Sequence, residues 1–374
     1  MTSIGFLSTF PPTRCGLATF TASLCEAMTQ TADVAASIVR VMAVDEPSIA
    51  PPRGARPVAG HLMNGNPQSI RESAAILNRS AAAIIQHEYG IYGGRDGAEV
   101  IGLLDQLTVP TIVVLHTVLA APSPHQRAVL EAVCSHASFV VVMTQHARET
   151  LLASASVPSG KIRVIPHGAR TPDAAARTVR DHARPALLTW GLISPGKGLE
   201  WSIRAVADLA ASGTLVDYVI AGQTHPKLVA EHGEAYRDSL VALVHRLGLG
   251  DQVRFVDRYL SPATLDTLIG GADAVVLPYE SADQATSGVL AEAVAAGIPV
   301  VATGFPHAIE LLAEGAGVVV PHRDPAAIAA GILQIVSRKG SVSPAAAPSD
   351  TMSWTTVARA YLQLVGSLRA AQAA

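Results

Sequence analysis

Residues Tyr279 to Thr303, YESADQATSGVLAEAVAAGIPVVAT, hold the residue types best suited to chemistry in this chain. The apolar run Ala274 to Leu277 predicts a strand ending in a polar turn. A helix is expected to begin near Ser287, and a second strand, Ile298 to Ala302, follows the break at Gly297. Thr286, Ser287 and Gly288 suit a helix start, where side-chain oxygens cap and the first backbone N–H groups have no partner inside the helix. Such a terminus attracts phosphate through its open amides and the helix dipole. Glu292 lies about one turn further in, where a carboxylate can accept hydrogen bonds from a ribose. A phosphate and a diol are the marks of a sugar nucleotide, and this pattern places its site in the second half of the chain.

A second motif, Trp190 to Gly198 (WGLISPGKG), predicts a strand, a glycine turn and a helix start. A lysine at a helix start opposes the dipole. Lys197, flanked by glycines, is therefore either an ordinary solvated cation or one that meets a diphosphate. Pro11 to Phe20 (PPTRCGLATF) has the same strand-turn-helix form, and Gly16 can bring backbone amides up to a phosphate or simply make the turn. His87 and His116 end predicted strands in IIQHEYGIYGG and TIVVLHTVL. Both are expected to point into a cleft, where a histidine can hydrogen-bond a sugar hydroxyl; the plain reading is a packed core histidine. Glu88 is a further acceptor contact if its side chain shares that face. His167-Gly168, in VIPHG, reads as a turn.

Other chemistries lack their residues. There is no GxGxxG, which argues against a dinucleotide oxidoreductase, and the Lys197 loop lacks P-loop spacing. No Asp-x-Asp pair and no His/Cys cluster of metal spacing occurs, so the expectation is a metal-independent site without a cofactor. Lys197, helix amides and an arginine would then neutralise a leaving diphosphate.

These loops need a scaffold. At 374 residues, 49% apolar and 15% charged, the chain is long enough for two cores. A net charge of -3 argues against broad nucleic-acid binding. Three widely spaced cysteines suit a reduced, cytoplasmic setting. The N-terminal IGFLSTF is too short and lacks the basic lead of a secretory leader. No apolar run is long enough to span a membrane, which leaves peripheral membrane contact open. Strands are expected at Ile4 to Leu7, Ser37 to Val44, Ala83 to Gln86, Thr111 to Leu115, Phe139 to Met143 and Ile162 to Pro166. They are expected again at Ala186 to Trp190, Tyr218 to Ala221, Val253 to Val256, Ala274 to Leu277, Pro299 to Ala302 and Gly317 to Val320. Helical stretches alternate with them, so the fold class is α/β: two doubly wound, Rossmann-like domains facing each other across a cleft. The expected boundaries are residues 1–170, a polar linker 171–184, a second domain 185–350 with a flexible connector from Gly340 to Ser349, and a final helix in 351–374.

Taken in order, these motifs resemble retaining glycosyltransferases of the GT-B fold, in the large family four. The resemblance is closest to a bacterial, mannosyltransferase-like subgroup. It rests on Pro11 to Thr21, Ile85 to Gly94, Leu115 to Leu119, Gly191 to Gly198 and Gln284 to Thr303, and it spans nearly the whole chain. It implies that Gly16 approaches the diphosphate, His116 contacts the transferred sugar, Lys197 binds the diphosphate and Glu292 the ribose, with Ser287, Gly288 and Val289 at the phosphates. His87 and Glu88 fall on the acceptor side. Two positions depart from the pattern. Leu192 stands where the family has an arginine, leaving Arg14, Arg254 or Arg258 to supply the charge. Gln284 replaces the first glutamate of the pair and keeps its hydrogen-bonding reach, with Asp283 beside it. The resulting expectation is a hexosyltransferase that uses a nucleotide-diphosphate sugar, GDP-mannose by preference. Its acceptor would be the hydroxyl of a glycan, lipid or small molecule, and its mechanism front-face with retention. The alternatives are a sugar-nucleotide epimerase or hydrolase on the same fold, and a non-catalytic sugar-nucleotide or glycan-binding module.

Overall fold

The computed structural model describes residues 2–42, 58–170, 184–313, 315–337 and 350–373. The chain forms two compact units, residues 1–168 with 353–374, and residues 169–352. The expected linker lies outside the described residues except for Arg184, and so does the expected connector.

The first unit holds a seven-stranded parallel sheet. Its strands are β1 (Thr2–Ser8), β2 (Val34–Met42), β3 (Val58–Met63), β4 (Ala82–His87), β5 (Thr111–Leu115), β6 (Phe139–Val142) and β7 (Ile162–Val164). They lie in the order β3-β2-β1-β4-β5-β6-β7. All residues of β4 and β5 are buried, as expected of parallel strands covered on both faces. The helices α1 (Gly16–Thr31), α2 (Pro67–Leu77), α3 (Glu99–Leu104), α4 (Pro124–His136) and α5 (Gln145–Ser154) fill the crossovers. Local chemistry sets their starts. The Asn66 side chain accepts from the Gln68 and Ser69 amides ahead of Pro67, and Ser123 and Gln126 cap each other's backbone around Pro124. Strand β3 has no counterpart in the sequence reading. VAGHLM carries a glycine and a histidine at an edge position, so it lacks the apolar run of a buried strand.

The second unit holds a six-stranded parallel sheet of β8 (Ala186–Trp190), β9 (Asp217–Ala221), β10 (Val253–Val256), β11 (Ala274–Leu277), β12 (Val300–Thr303) and β13 (Gly317–Val320), in the order β10-β9-β8-β11-β12-β13. Its helices are α6 (Leu199–Ala211), α7 (Pro226–His232), α8 (Ala235–Arg246), α9 (Pro262–Gly270), α10 (Gly288–Ala295), α11 (Pro306–Leu312) and α12 (Pro325–Val336). Alternate strand residues sort onto two faces. Leu187, Ala274 and Val276 pack with Ile203, Val206 and Ile332, while Leu188, Val275 and Leu277 pack with Leu290, Val300 and Ala302.

The last helix, α13 (Trp354–Ala373), belongs to the first unit. Its Val357, Ala358, Tyr361 and Val365 share a core with Phe20, Leu24 and Met28 of α1. Full burial of such an apolar side chain stabilises by roughly 1.5–3 kcal/mol. Trp354 lies against Gly168, where an added Cβ would come within 2.3 Å of the indole. The glycine in VIPHG is thus required by packing.

Candidate active site

In each sheet the strand order reverses once, between β1 and β4 in the first unit and between β8 and β11 in the second. Loops leaving the two strands at such a point diverge and open a crevice at their carboxyl ends, where ligands of open α/β sheets bind. All four loops at these points carry motifs singled out in the sequence.

In the second unit, the loop after β8 is held against the end of β11. The Glu280 amide donates to the Gly196 carbonyl at 2.9 Å, and Lys197 N–H turns back to the Ser194 carbonyl at 3.2 Å. Gly198 has φ 65°, and a Cβ there would sit 1.9 Å from the Pro278 carbonyl oxygen, so only glycine fits. Lys197 Nζ lies 4.1 Å from the centroid of the Tyr279 ring, which stacks on Phe305 at 5.2 Å. Among the described residues no carboxylate is within ion-pairing distance of Lys197. The cation is half-buried and held on an aromatic face, able to meet an anion.

Across the crevice α10 begins as the sequence predicts. Ser287 Oγ accepts from Leu290 N–H at 3.2 Å, and the Gly288 and Val289 amides have no protein acceptor among the described residues. An added Cβ on Gly191 would touch Val289 Cγ2 at 3.7 Å, which brings this helix start beside the Lys197 loop. Glu292 is half-buried, and one carboxylate oxygen accepts from the Trp190 indole N–H at 3.3 Å. Burial raises its pKa, against the opposing influence of the Trp190 hydrogen bond and Arg170. Gln284 does not reach outward with both polar atoms. Its Nε2 donates to the Thr286 carbonyl at 2.8 Å, leaving Oε1 available. Asp283, Arg14, Arg254 and Arg258 are exposed. A further basic group that feels the Lys197 charge, missed in the sequence, is His225 beyond β9; burial and then the Lys227 and Lys197 charges lower its pKa. Its motif, GQTHPK, carries no pattern that marks a site.

In the first unit Cys15 caps α1, its Sγ accepting from Ala18 N–H at 3.4 Å. Among the described residues the Gly16 and Leu17 amides have no protein acceptor, and a Cβ on Gly16 would meet nothing within 4 Å. The buried Arg40 holds this loop through Thr13 Oγ1 at 2.8 Å. His116 is half-buried, its Nε2 2.7 Å from Gln86 Oε1 and its ring edge-on to Phe20. Glu88 accepts from Thr117 Oγ1 at 2.5 Å and from the Tyr89 amide at 3.0 Å.

The expectation that His87 and His116 point the same way is corrected by the register. His87 pairs with Leu115, one residue short of His116, so the two side chains lie on opposite faces of the sheet. His87 has no exposure, and among the described residues neither ring nitrogen has a partner. It is not placed to touch an acceptor.

Burial pulls His87 down to about 4, His116 to about 3 and His167 to about 4. An unfolded histidine titrates near 6.5, so below that pH the unfolded chain takes up protons that the folded chain refuses. The stabilisation is complete above about pH 6.5 and is lost progressively as pH falls toward 4. We expect the melting temperature to fall across that window and His87→Leu to flatten the fall. An identical pH profile for the variant would contradict this.

Among the described residues no group of His, Cys, Asp and Glu is arranged to hold a metal, and no helix is long and apolar enough to cross a membrane. Two family models match the chain, one to each half. Residues 15–171 match glycosyltransferase family 4 and residues 184–338 match glycosyl transferases group 1. The chain is a glycosyltransferase of the GT-B fold. A glycosyltransferase from Rickettsia africae is 14% identical, with a TM-score of 0.74 and 98% of each chain covered. HepE of Anabaena, solved with UDP and glucose, is 15% identical with a TM-score of 0.71, covering 98% of this chain and 100% of its own. The α,α-trehalose 6-phosphate synthase of Burkholderia multivorans is 14% identical with a TM-score of 0.68, covering 100% and 98%. At these identities the likeness is one of fold. No curated protein sequence matches the transferase.

Proposed function

We propose that the transferase moves a hexose from a nucleoside-diphosphate sugar to an acceptor hydroxyl, with retention and without a metal. The observation that carries this is the pairing, at one switch point, of a lysine and a helix start whose charge and first two amides meet no carboxylate and no acceptor among the described residues. Lys197 and the Gly288 and Val289 amides take the diphosphate and stabilise it as it leaves. Glu292 accepts from the ribose, and Gln284 Oε1 from the donor sugar. On the first unit, the Gly16 amide is assigned to phosphate, His116 to the transferred sugar and Glu88 to the acceptor. Since Gln86 Oε1 accepts from His116 Nε2–H, Nδ1 is left as an acceptor for a sugar hydroxyl. The leaving phosphate oxygen takes the acceptor proton on the same face. GDP-mannose is the preferred donor, and a glycan, lipid or small metabolite the acceptor, in a reducing cytoplasm where Cys15, Cys25 and Cys134 stay as thiols.

Melting with GDP, UDP, ADP and their sugar conjugates, with and without magnesium, tests the donor site. A ligand at 100 times its dissociation constant adds about 2.7 kcal/mol. A shift with one nucleotide, indifferent to magnesium, supports the reading; no shift with any of them overturns it. Product stereochemistry by NMR tests retention, and binding without turnover across an acceptor panel would favour a binding module.

Trp190→Phe keeps the buried ring and deletes the hydrogen bond to Glu292. We expect donor affinity to fall about three- to tenfold, the net worth of one ordinary hydrogen bond, with little change in kcat. An unchanged donor Kd would remove Glu292 from the ribose role or Trp190 from its support.

A further inference from the structure

We propose that the first turn of α11 is the part that aims the diphosphate site, with His307 as its positioning residue; this rests on the donor reading above. His307 is 5% exposed, and its Nδ1 accepts the Ser287 N–H at 2.8 Å. Its own backbone N–H donates to the Gln284 carbonyl at 3.4 Å. Gln284 Nε2 in turn donates to the Thr286 carbonyl at 2.8 Å. The turn 284–287 is therefore tied to α11 at both of its ends.

Ser287 is the cap residue of α10, so its N–H lies outside the helical ladder. It is buried, and a buried amide needs an acceptor. His307 supplies it, which requires the ring proton on Nε2. With Ser287 N–H taken by His307 and Leu290 N–H taken by Ser287 Oγ, the two amides left at this helix start are Gly288 and Val289. The ring thus selects which donors face the ligand and fixes their direction. Two residues earlier, Phe305 is stacked under Tyr279, whose other partner is Lys197. Pro306, at the first helical position, restrains the backbone between them. One short turn thereby holds both the cation and the amides of the anion site, although no α11 side chain need touch the donor.

The test compares His307→Leu with His307→Asn. Leucine and asparagine have similar shape, but only asparagine offers an acceptor where Nδ1 stands. The probes are whichever of GDP, UDP or ADP gives the largest melting shift, and its parent nucleoside. We expect His307→Leu to weaken the diphosphate about fivefold or more while the nucleoside binds as before. His307→Asn should restore most of the loss, and hydrogen exchange at the Ser287 amide should be fast in the leucine variant and slow in the asparagine one. The proposal is overturned if His307→Leu binds the diphosphate like wild type. It is also overturned if nucleoside and diphosphate weaken alike, or if asparagine does no better than leucine. A wild-type protein that binds neither probe would overturn the donor reading itself, a result distinct from these.

Discussion

Replacing Lys197 by alanine is expected to lower turnover about a hundredfold or more while leaving the protein folded. Preorganised charge aimed at a leaving group commonly contributes that much, because it acts where charge develops and needs no reorganisation. Lys197 has the geometry for this role. It is half-buried, rests over the Tyr279 ring and has no carboxylate partner among the described residues. The contact with Tyr279 is worth about 0.5–2 kcal/mol, so the melting temperature should move little. Lys197→Arg should recover only part of the loss, since a planar guanidinium cannot occupy the place of a compact ammonium. Steady-state kinetics with the donor found by melting, beside circular dichroism of each variant, decides the matter. A folded Lys197→Ala enzyme with wild-type turnover would end the diphosphate role.

Gly198→Ala should damage both stability and activity. The residue sits at φ 65°, where an L side chain costs about 1–2 kcal/mol. Its new Cβ would also lie 1.9 Å from the Pro278 carbonyl oxygen, a backbone atom that cannot swing aside. The loop must therefore move, and Lys197 with it; a displacement of about 1 Å at a reacting group can cost on the order of a hundredfold. Gly196→Ala is the control. It too has positive φ, 82°, but an added Cβ meets nothing within 4 Å, so only the backbone strain applies. We expect Gly198→Ala to melt well below Gly196→Ala and to lose donor binding. Equal melting temperatures would show that the clash is relieved without cost.

The sequence by itself determined the α/β class, most of the strands and the helix starts that matter for the site. Apolar runs such as Ala274 to Leu277 are buried along their whole length in the sheet, and Ser287 caps α10 through its own side chain. Both features are local: burial on two faces dictates composition, and capping needs only a few neighbouring residues. Lys197 stood out for a similar reason, because glycines around a cation at a helix start are unusual in themselves.

Tertiary structure alone decided the rest, because it turns on registers and contacts between distant segments. A one-residue offset between β4 and β5 puts His87 and His116 on opposite faces, and no pattern within either strand records that offset. Strand β3 exists because β2 offers it an edge, and α13 joins the first unit because α1 leaves an apolar face for it. Gln284 lies in a polar turn, yet its side-chain NH2 is committed to that turn and its backbone carbonyl to α11. His307 is hidden for the same reason. In GFPHAIE it reads as an ordinary helical residue, and its partner Ser287 lies 20 positions away. Periodicity reports which side of an element is buried; only the packed chain shows which atom meets it there.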